Sequence, residues 1–187
     1  GTITLDDTHV HSGSQAAYVR VDQPTMNEGG AYVGLQLPIS PLPTNLYVRA
    51  FFYRPAGDTQ MELFFIKKSL MSDRSTDGLY ADASKGNSSV VDVIDGNPAS
   101  MKNSSVTLKE DAWSCVQWSI VGIGSPDAVE VTLAIDGVVG IVVPASSGYS
   151  TDSAFSIGQV VVAGDVAPVE FWVDDLELSS MPIGCDL

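Results

Sequence analysis

The sequence predicts an all-β fold, an antiparallel two-sheet β-sandwich of jelly-roll type. Short extended segments recur at intervals of roughly 10–15 residues, with turn residues between them. No window shows a helical stripe of apolar residues with helix caps. The 187-residue chain is long enough to bury one core, and neither a linker nor an internal repeat marks a boundary. We therefore predict a single domain over residues 1–187.

Charge and composition narrow the partners that we expect. Nine basic residues against 23 acidic ones give a formal net charge of −14. This negative field repels phosphate backbones and anionic lipids, and no apolar run approaches the roughly 20 residues that a membrane-spanning helix needs. We predict neither a nucleic-acid partner nor membrane insertion. Because the chain opens GTITLDD without a signal peptide, we expect a mature protein or an excised domain.

Twelve segments are predicted as strands from their β-branched and aromatic residues and from the turn signals between them. They are residues 3–7, 16–21, 31–37, 46–55, 60–67, 79–83, 90–94, 114–121, 129–135, 138–143, 154–163 and 169–179. The loop at residues 23–30 is rich in Pro, Asn and Gly, and the sequence DGNP at residues 95–98 predicts a second turn. Asp136-Gly137 predicts a tight hairpin between the segments on either side of it.

Segment 46–55 shows the clearest alternation of side chains between two faces. Small and apolar residues occupy the predicted core face: Val48, Ala50 and Phe52. Aromatic rings around one guanidinium occupy the other face: Tyr47, Arg49, Phe51 and Tyr53. Segment 60–67 is predicted to alternate in the same way, with Leu63 and Phe65 against Glu62, Phe64 and Ile66. Segment 114–121 alternates Val116, Trp118 and Ile120 against Cys115, Gln117 and Ser119.

The two cysteines, Cys115 and Cys185, are too far apart for a CxxC redox or zinc pair. They are either free thiols or one long-range disulfide, and we favour the disulfide. Closing a loop of that length stabilises a protein by roughly 4 kcal/mol on the chain-entropy model. A stable disulfide also implies an oxidising compartment, so we expect an extracellular or cell-surface protein.

Four stretches carry a family resemblance: HSGSQAAYV, LYVRAFFYRP, WSCVQW and FWVDDLELSSMPIGC. Together they resemble the concanavalin A-like lectin/glucanase superfamily, particularly the LamG-like jelly rolls of secreted bacterial proteins and the polysaccharide-lyase-like sandwiches. The resemblance covers nearly the whole chain. It implies two curved sheets, a concave face where glycans bind or are cleaved, and in many members a calcium ion at the edge of the sandwich.

A structural calcium site follows from that resemblance. In related sandwiches the first acid of the terminal W-x-D-D motif meets an acid and loop carbonyls near the N-terminus, which implies Asp174 with Asp7 and Ser14 here. A hard cation of this kind takes six to eight oxygen ligands. The alternative is that Asp174 caps loop N–H groups or pairs with a basic side chain.

A carbohydrate-binding face is predicted from aromatic and planar polar residues, the groups that recognise sugar rings and hydroxyls. The candidates are Tyr47, Arg49, Tyr53, Glu62 and Gln117. The alternative is a solvated sheet face on which Arg49 forms an ion pair with Glu62.

Catalysis has weaker support. The chain contains neither the E-x-D-x-x-E strand of the superfamily's retaining glucanases nor a Gln-x-His lyase motif, and its two histidines, His9 and His11, lie in the N-terminal segment. A lyase that uses Tyr53 or Tyr80 as its base stays open. We therefore predict a secreted, non-catalytic carbohydrate-binding domain that recognises a polysaccharide on its concave face. The alternatives are a polysaccharide lyase or glycoside hydrolase with a diverged site, and a cell-surface adhesion module.

Overall fold

The computed structural model describes residues 1–21, 31–37, 41–57, 61–67, 78–84, 86–94, 97–125, 129–145, 154–161 and 169–186. These residues contain thirteen strands and no helix. The strands are β1 (Thr2–Asp6), β2 (Ala16–Val21), β3 (Ala31–Leu37), β4 (Asn45–Arg54), β5 (Met61–Lys67), β6 (Gly78–Ser84), β7 (Asn87–Ile94), β8 (Asn97–Ser104), β9 (Ala112–Val121), β10 (Val129–Ile135), β11 (Val138–Ala145), β12 (Ala154–Val161) and β13 (Val169–Ser179). The described residues thus include no helix long and apolar enough to cross a membrane.

The strands form two antiparallel sheets, which confirms the predicted fold class. The seven-stranded sheet has the order β1-β2-β13-β4-β9-β10-β11, and the six-stranded sheet has the order β3-β12-β5-β6-β7-β8. Late strands return to lie between early ones: β13 pairs with β2 and β4, and β12 pairs with β3 and β5. Such long returns between two sheets are typical of jelly rolls.

The core lies between the inner faces of the two sheets. Val48, Ala50 and Phe52 of β4 are almost completely buried, as their alternation predicts. Phe64 of the six-stranded sheet stacks on Trp118 of the seven-stranded sheet, with ring centroids 5.6 Å apart. Aromatic contacts of this kind add to the free energy of burying the rings, so this pair helps to hold the two sheets together.

Strand β5 departs from the predicted alternation. A β-bulge between Glu62 and Phe64 adds one residue to this strand relative to β6. As a result Leu63, Phe64 and Ile66 are all completely buried, whereas strict alternation placed Leu63 and Phe64 on opposite faces. The bulge changes the alternation at Leu63, so the predicted face of Leu63 was wrong, whereas Phe64 and Ile66 lie on one face as predicted.

Strand β8 was not predicted at all. Its sequence, NPASMKNS, has little apolar character, and it pairs with β7 alone at the edge of the six-stranded sheet. Asn97 and Pro98 begin this strand, although they were predicted as the end of a turn. The other two turn residues, 95 and 96, and the predicted loop at residues 23–30 lie outside the described residues.

The Asp136-Gly137 hairpin joins β10 and β11 as predicted. Both residues have positive φ, 51° for Asp136 and 76° for Gly137, the backbone geometry that short hairpins require. Further along β11, a Cβ on Gly140 would lie 2.7 Å from Oγ of Ser104. Gly140 therefore lets β11 approach the end of β8 closely, which closes one side of the sandwich.

Candidate functional site

The residues after β13, 180–186, form a C-terminal segment that lies against the outer face of the seven-stranded sheet, the face away from the core. A disulfide joins Cys185 in this segment to Cys115 in β9, so the predicted pairing is confirmed. Gln117, two residues further along β9, donates a hydrogen bond from Nε2 to the carbonyl of Ile183. A covalent bond and a side-chain hydrogen bond thus fasten the segment to one strand.

Arg49, a predicted sugar-binding residue, is held by this C-terminal segment. Its Nη1 donates to the carbonyls of Gly184 and Asp186, at 3.3 Å each, and its Nη2 lies 2.9 Å from a carboxylate oxygen of Glu177. Only 6% of the residue is exposed. Arg49 therefore acts as a structural link between β4, β13 and the end of the chain, and its ion pair is with Glu177 rather than with Glu62.

Tyr53 is packed into an aromatic cluster at the opposite end of the same face. Its ring centroid lies 4.2 Å from that of His9, 5.6 Å from that of Trp172 and 5.7 Å from that of Trp113. The indole Nε1 of Trp172 in turn donates to the carboxylate of Asp6. Through these contacts, Tyr53 attaches the N-terminal segment to the sheet.

The five predicted sugar-binding residues do not converge on one surface. Glu62 lies on β5 in the six-stranded sheet, whereas the other four lie on the seven-stranded sheet. Tyr47 and Gln117 are brought together, because both line a shallow pocket of about 190 Å³ beside the C-terminal segment. The alternation of residues indicates which side chains share one face of a strand, but not the sheet to which that strand belongs. The prediction that all five residues share one surface was therefore wrong.

Asp174 binds the N-terminal turn through backbone amides. Its Oδ2 accepts hydrogen bonds from the N–H groups of His11 and Ser12, and its Oδ1 accepts one from the N–H of Asp175. In this arrangement backbone N–H groups occupy the carboxylate oxygens that a calcium ion would need as ligands.

The other predicted calcium ligands do not complete a site. Asp7 and Ser14 are exposed, and the described residues contain no group of three or more His, Cys, Asp or Glu placed to hold a metal. The bonds of Asp174 favour the alternative that it caps loop amides. Calcium at this edge stays a prediction.

Asp175, the second acid of the motif, forms a partly buried link to the N-terminal turn that the sequence did not predict. Nδ1 of His11 lies 2.7 Å from its Oδ2, and the hydroxyl of Ser12 donates to its Oδ1. Burial alone would raise the pKa of Asp175, but these hydrogen bonds and the nearby charges of His11 and Arg49 lower it below its usual value. Asp175 also has a φ of 48°, a strained conformation for a non-glycine residue.

The outer face of the six-stranded sheet presents a second candidate surface. Alternation places its residues opposite the buried Ala81, Ala83 and Val90. Strand register aligns one residue from every strand in a continuous row: Gln36, Ser156, Phe65, Tyr80, Val91 and Met101. The neighbouring row contains Glu62, Asp82, Ser89 and Asn103. A polar row thus lies beside a row that contains two aromatic positions, near the centre of the sheet.

Asp82 on this surface has a perturbed pKa. It is only partly exposed, and burial raises its pKa to about 7. Asp82 lies directly opposite Glu62 on β5 and Ser89 on β7. Asp82 was not among the predicted site residues, although Tyr80 and Asp82 alternate with small alanines in β6, a pattern that indicates an outer face.

Comparison with solved structures identifies the fold. The chain is similar to an endo-β-1,4-glucuronan lyase from the fungus Trichoderma reesei, with a TM-score of 0.75 and 11% identity over 96% of this chain and 87% of that one. It is also similar to the cellulose-induced protein Cip1, with a TM-score of 0.65 and 18% identity over 99% of this chain and 88% of that one. The carbohydrate-binding module CBM66 from Bacillus subtilis is similar with a TM-score of 0.56 and 11% identity, over 95% of this chain and 91% of that one. No protein-family model and no curated protein matches the sequence.

These structures share a two-sheet jelly roll, so the chain has the two-sheet jelly-roll fold that its sequence predicted. Identities of 11–18% establish the fold alone. Because one fold of this kind serves many functions, the function must be argued from the surface residues.

Proposed function

We propose that this protein binds a neutral polysaccharide, without cleaving it, on the outer face of the six-stranded sheet. The observation that carries this proposal is the strand register, which sets the row with Phe65 and Tyr80 beside the polar row with Asp82, Ser89 and Asn103. Sugar rings bind through their C–H faces to aromatic residues and through their hydroxyls to small polar groups. Two parallel rows across a sheet offer both to an extended chain of sugar residues.

Charge favours a neutral ligand over a polyuronate. Glu62 and Asp82 occupy adjacent positions at the middle of the surface, and the whole chain carries a formal net charge of −14. A uronate carboxylate would be repelled by the wider negative field. Neutral glucans, mannans, xylans and galactans carry no such penalty.

Two further observations support the proposal. Among the similar structures, one is a glucuronan lyase and another is a carbohydrate-binding module by name, so polysaccharides recur as ligands on this fold. The Cys115–Cys185 disulfide is compatible with an oxidising compartment. We therefore propose that the protein acts outside the cell, where polysaccharides are accessible.

Affinity electrophoresis through gels that contain single polysaccharides tests this proposal. We expect the protein to be retarded by at least one neutral polysaccharide and not by alginate or glucuronan. Tyr80→Ala should weaken the interaction about tenfold or more, because a stacked aromatic ring contributes about 1 kcal/mol or more. Tyr18→Ala is the matched control, since Tyr18 lies on the outer face of the other sheet. Equal retardation of both variants would contradict the proposal.

A glycoside hydrolase is the second candidate, favoured by the Glu62–Asp82 pair. Directly opposed residues on antiparallel strands have Cβ atoms about 5 Å apart, and glycoside hydrolases use two carboxyl groups about 5–10 Å apart, one of them with a raised pKa. The pKa of Asp82 is raised to about 7. New reducing ends that disappear in Asp82→Asn would establish this candidate, and new unsaturated ends would indicate a lyase instead.

A further inference from the structure

We propose a second carbohydrate site on the opposite side of the molecule, in the pocket of about 190 Å³ between the C-terminal segment and strands β4, β9 and β10. We call it the tail pocket. It is suited to one neutral sugar residue, such as the end of a polysaccharide chain. This inference rests on the proposed function only for the chemical class of the ligand, because its residues lie on the other sheet.

The lining of the tail pocket is uncharged. The lining residues on which the argument depends are Tyr47, Gln117, Ser119, Thr132, Pro182 and Ile183. In a protein with a net charge of −14, a pocket whose described lining includes no acid or base is a neutral surface. Neither ionic ligands nor metal ions find a counter-charge in it, whereas a neutral ligand with many hydroxyl groups meets no electrostatic penalty.

Three hydroxyl-bearing residues stand side by side in this lining. Ser119 lies opposite Tyr47 on β4 and opposite Thr132 on β10, so the three occupy one row across adjacent strands. All three are only partly exposed. A hydroxyl both donates and accepts hydrogen bonds, which matches the donor and acceptor pattern of neighbouring sugar hydroxyls. The row therefore recognises a polyol edge better than a purely apolar ligand.

The C-terminal segment supplies an apolar wall. Pro182 and Ile183 form one side of the pocket, and Val139, which is 58% exposed, forms part of its rim. Apolar walls beside a row of hydroxyls suit a pyranose ring, which has C–H faces and a polar edge. The volume is below the about 300–1,000 Å³ typical of pockets for drug-sized ligands, which limits the occupant to about one ring.

The wall is held in place before any ligand binds. The Cys115–Cys185 disulfide and the hydrogen bond from Gln117 to Ile183 fix the segment to β9. A fixed wall reduces the conformational entropy lost on binding. Because the tail pocket and the six-stranded face lie on opposite outer surfaces of a two-layer sandwich, the protein would be divalent and could cross-link two polysaccharide chains.

An NMR titration of the ¹⁵N-labelled full chain tests this inference. The probes are methyl glycosides and trisaccharides of glucose, mannose, xylose and galactose. We expect amide shifts at Ser119, Thr132 and Gly137 with at least one probe. Thr132→Val keeps the side-chain shape but removes the hydroxyl, and it should weaken this binding by about five- to tenfold. Thr4→Val is the matched control, because Thr4 is exposed on the same sheet four strands from β9.

The outcomes separate the two sites. Pocket shifts that are weakened by Thr132→Val but not by Thr4→Val or Tyr80→Ala support the inference. Shifts confined to the six-stranded sheet overturn it and leave the proposed function intact, whereas shifts confined to the pocket support it and contradict the location of the proposed function. Pocket shifts that Thr132→Val does not weaken, or no shifts with any probe, overturn it.

Discussion

Removing the disulfide should destabilise the fold by about 3–4 kcal/mol. The bond joins residues 70 positions apart, and closing a loop of that length removes roughly 4 kcal/mol worth of conformational entropy from the unfolded chain at 25 °C. Cys115→Ala combined with Cys185→Ala restores that entropy. For a chain of this size each kcal/mol corresponds to about 2–4 °C in Tm, so the Tm should fall by roughly 6–16 °C.

Thermal and urea unfolding monitored by circular dichroism measure this effect without reductant. If the disulfide acts on the unfolded chain, its removal should also increase the urea m-value, because the unfolded state expands and exposes more surface. Met181→Ala, a change at an exposed residue of the same segment, serves as the control. A Tm within about 2 °C of the wild type, with an unchanged m-value, would refute the loop-entropy argument.

Three further changes test individual contacts. The hydrogen bonds that lower the pKa of Asp175 stabilise the fold at neutral pH and lose their effect as the pH falls below about 4. Asp175→Asn should therefore destabilise the protein by about 1–3 kcal/mol at pH 7 and by less at pH 3. Equal losses of unfolding free energy at both pH values, measured by urea unfolding, would contradict this. Because burial raises the pKa of Asp82 to about 7, the folded state binds an extra proton between about pH 4 and pH 7. The free energy of unfolding of the wild type should therefore decline over that range, and Asp82→Asn should abolish the decline. If the variant shows the same dependence of stability on pH as the wild type, Asp82 is not a buried acid. Gly140→Ala would place its Cβ against Ser104 and should cost about 1–3 kcal/mol in thermal unfolding, a loss that Ser104→Gly should reduce.

Much of the fold was predictable because its signals are local. Alternation in β4 assigned the buried Val48 to the core face, and alternation in β9 separated the buried Trp118 from Gln117, since the two faces of a strand in a sandwich meet different surroundings. The hairpin at Asp136-Gly137 was predictable because those residue types tolerate positive φ. Strand β8 was not, because an edge strand needs little apolar character to pair with its one neighbour.

The candidate sites were harder to predict because they depend on contacts between distant parts of the chain. Arg49 lies among aromatic rings in the sequence pattern, which suggested a ligand site, but the C-terminal segment occupies its guanidinium. The predicted disulfide brings Cys185 to β9, but nothing in the local sequence indicates that the same segment also covers Arg49 on β4. Asp82 was overlooked because its opposite neighbour, Glu62, precedes it by 20 residues and meets it only through the register of β5 and β6.

The position of β13 has a consequence for how the protein is made. As the last of the thirteen described strands, it hydrogen-bonds to β2 on one side and to β4 on the other. While a ribosome is still translating the residues before β13, β2 and β4 each have one edge without a hydrogen-bonded neighbour. At that stage Cys115 also lacks its disulfide partner, Cys185. The larger sheet can therefore close only after β13 itself has been synthesised. Until then the nascent polypeptide presents strand edges that can pair with other molecules.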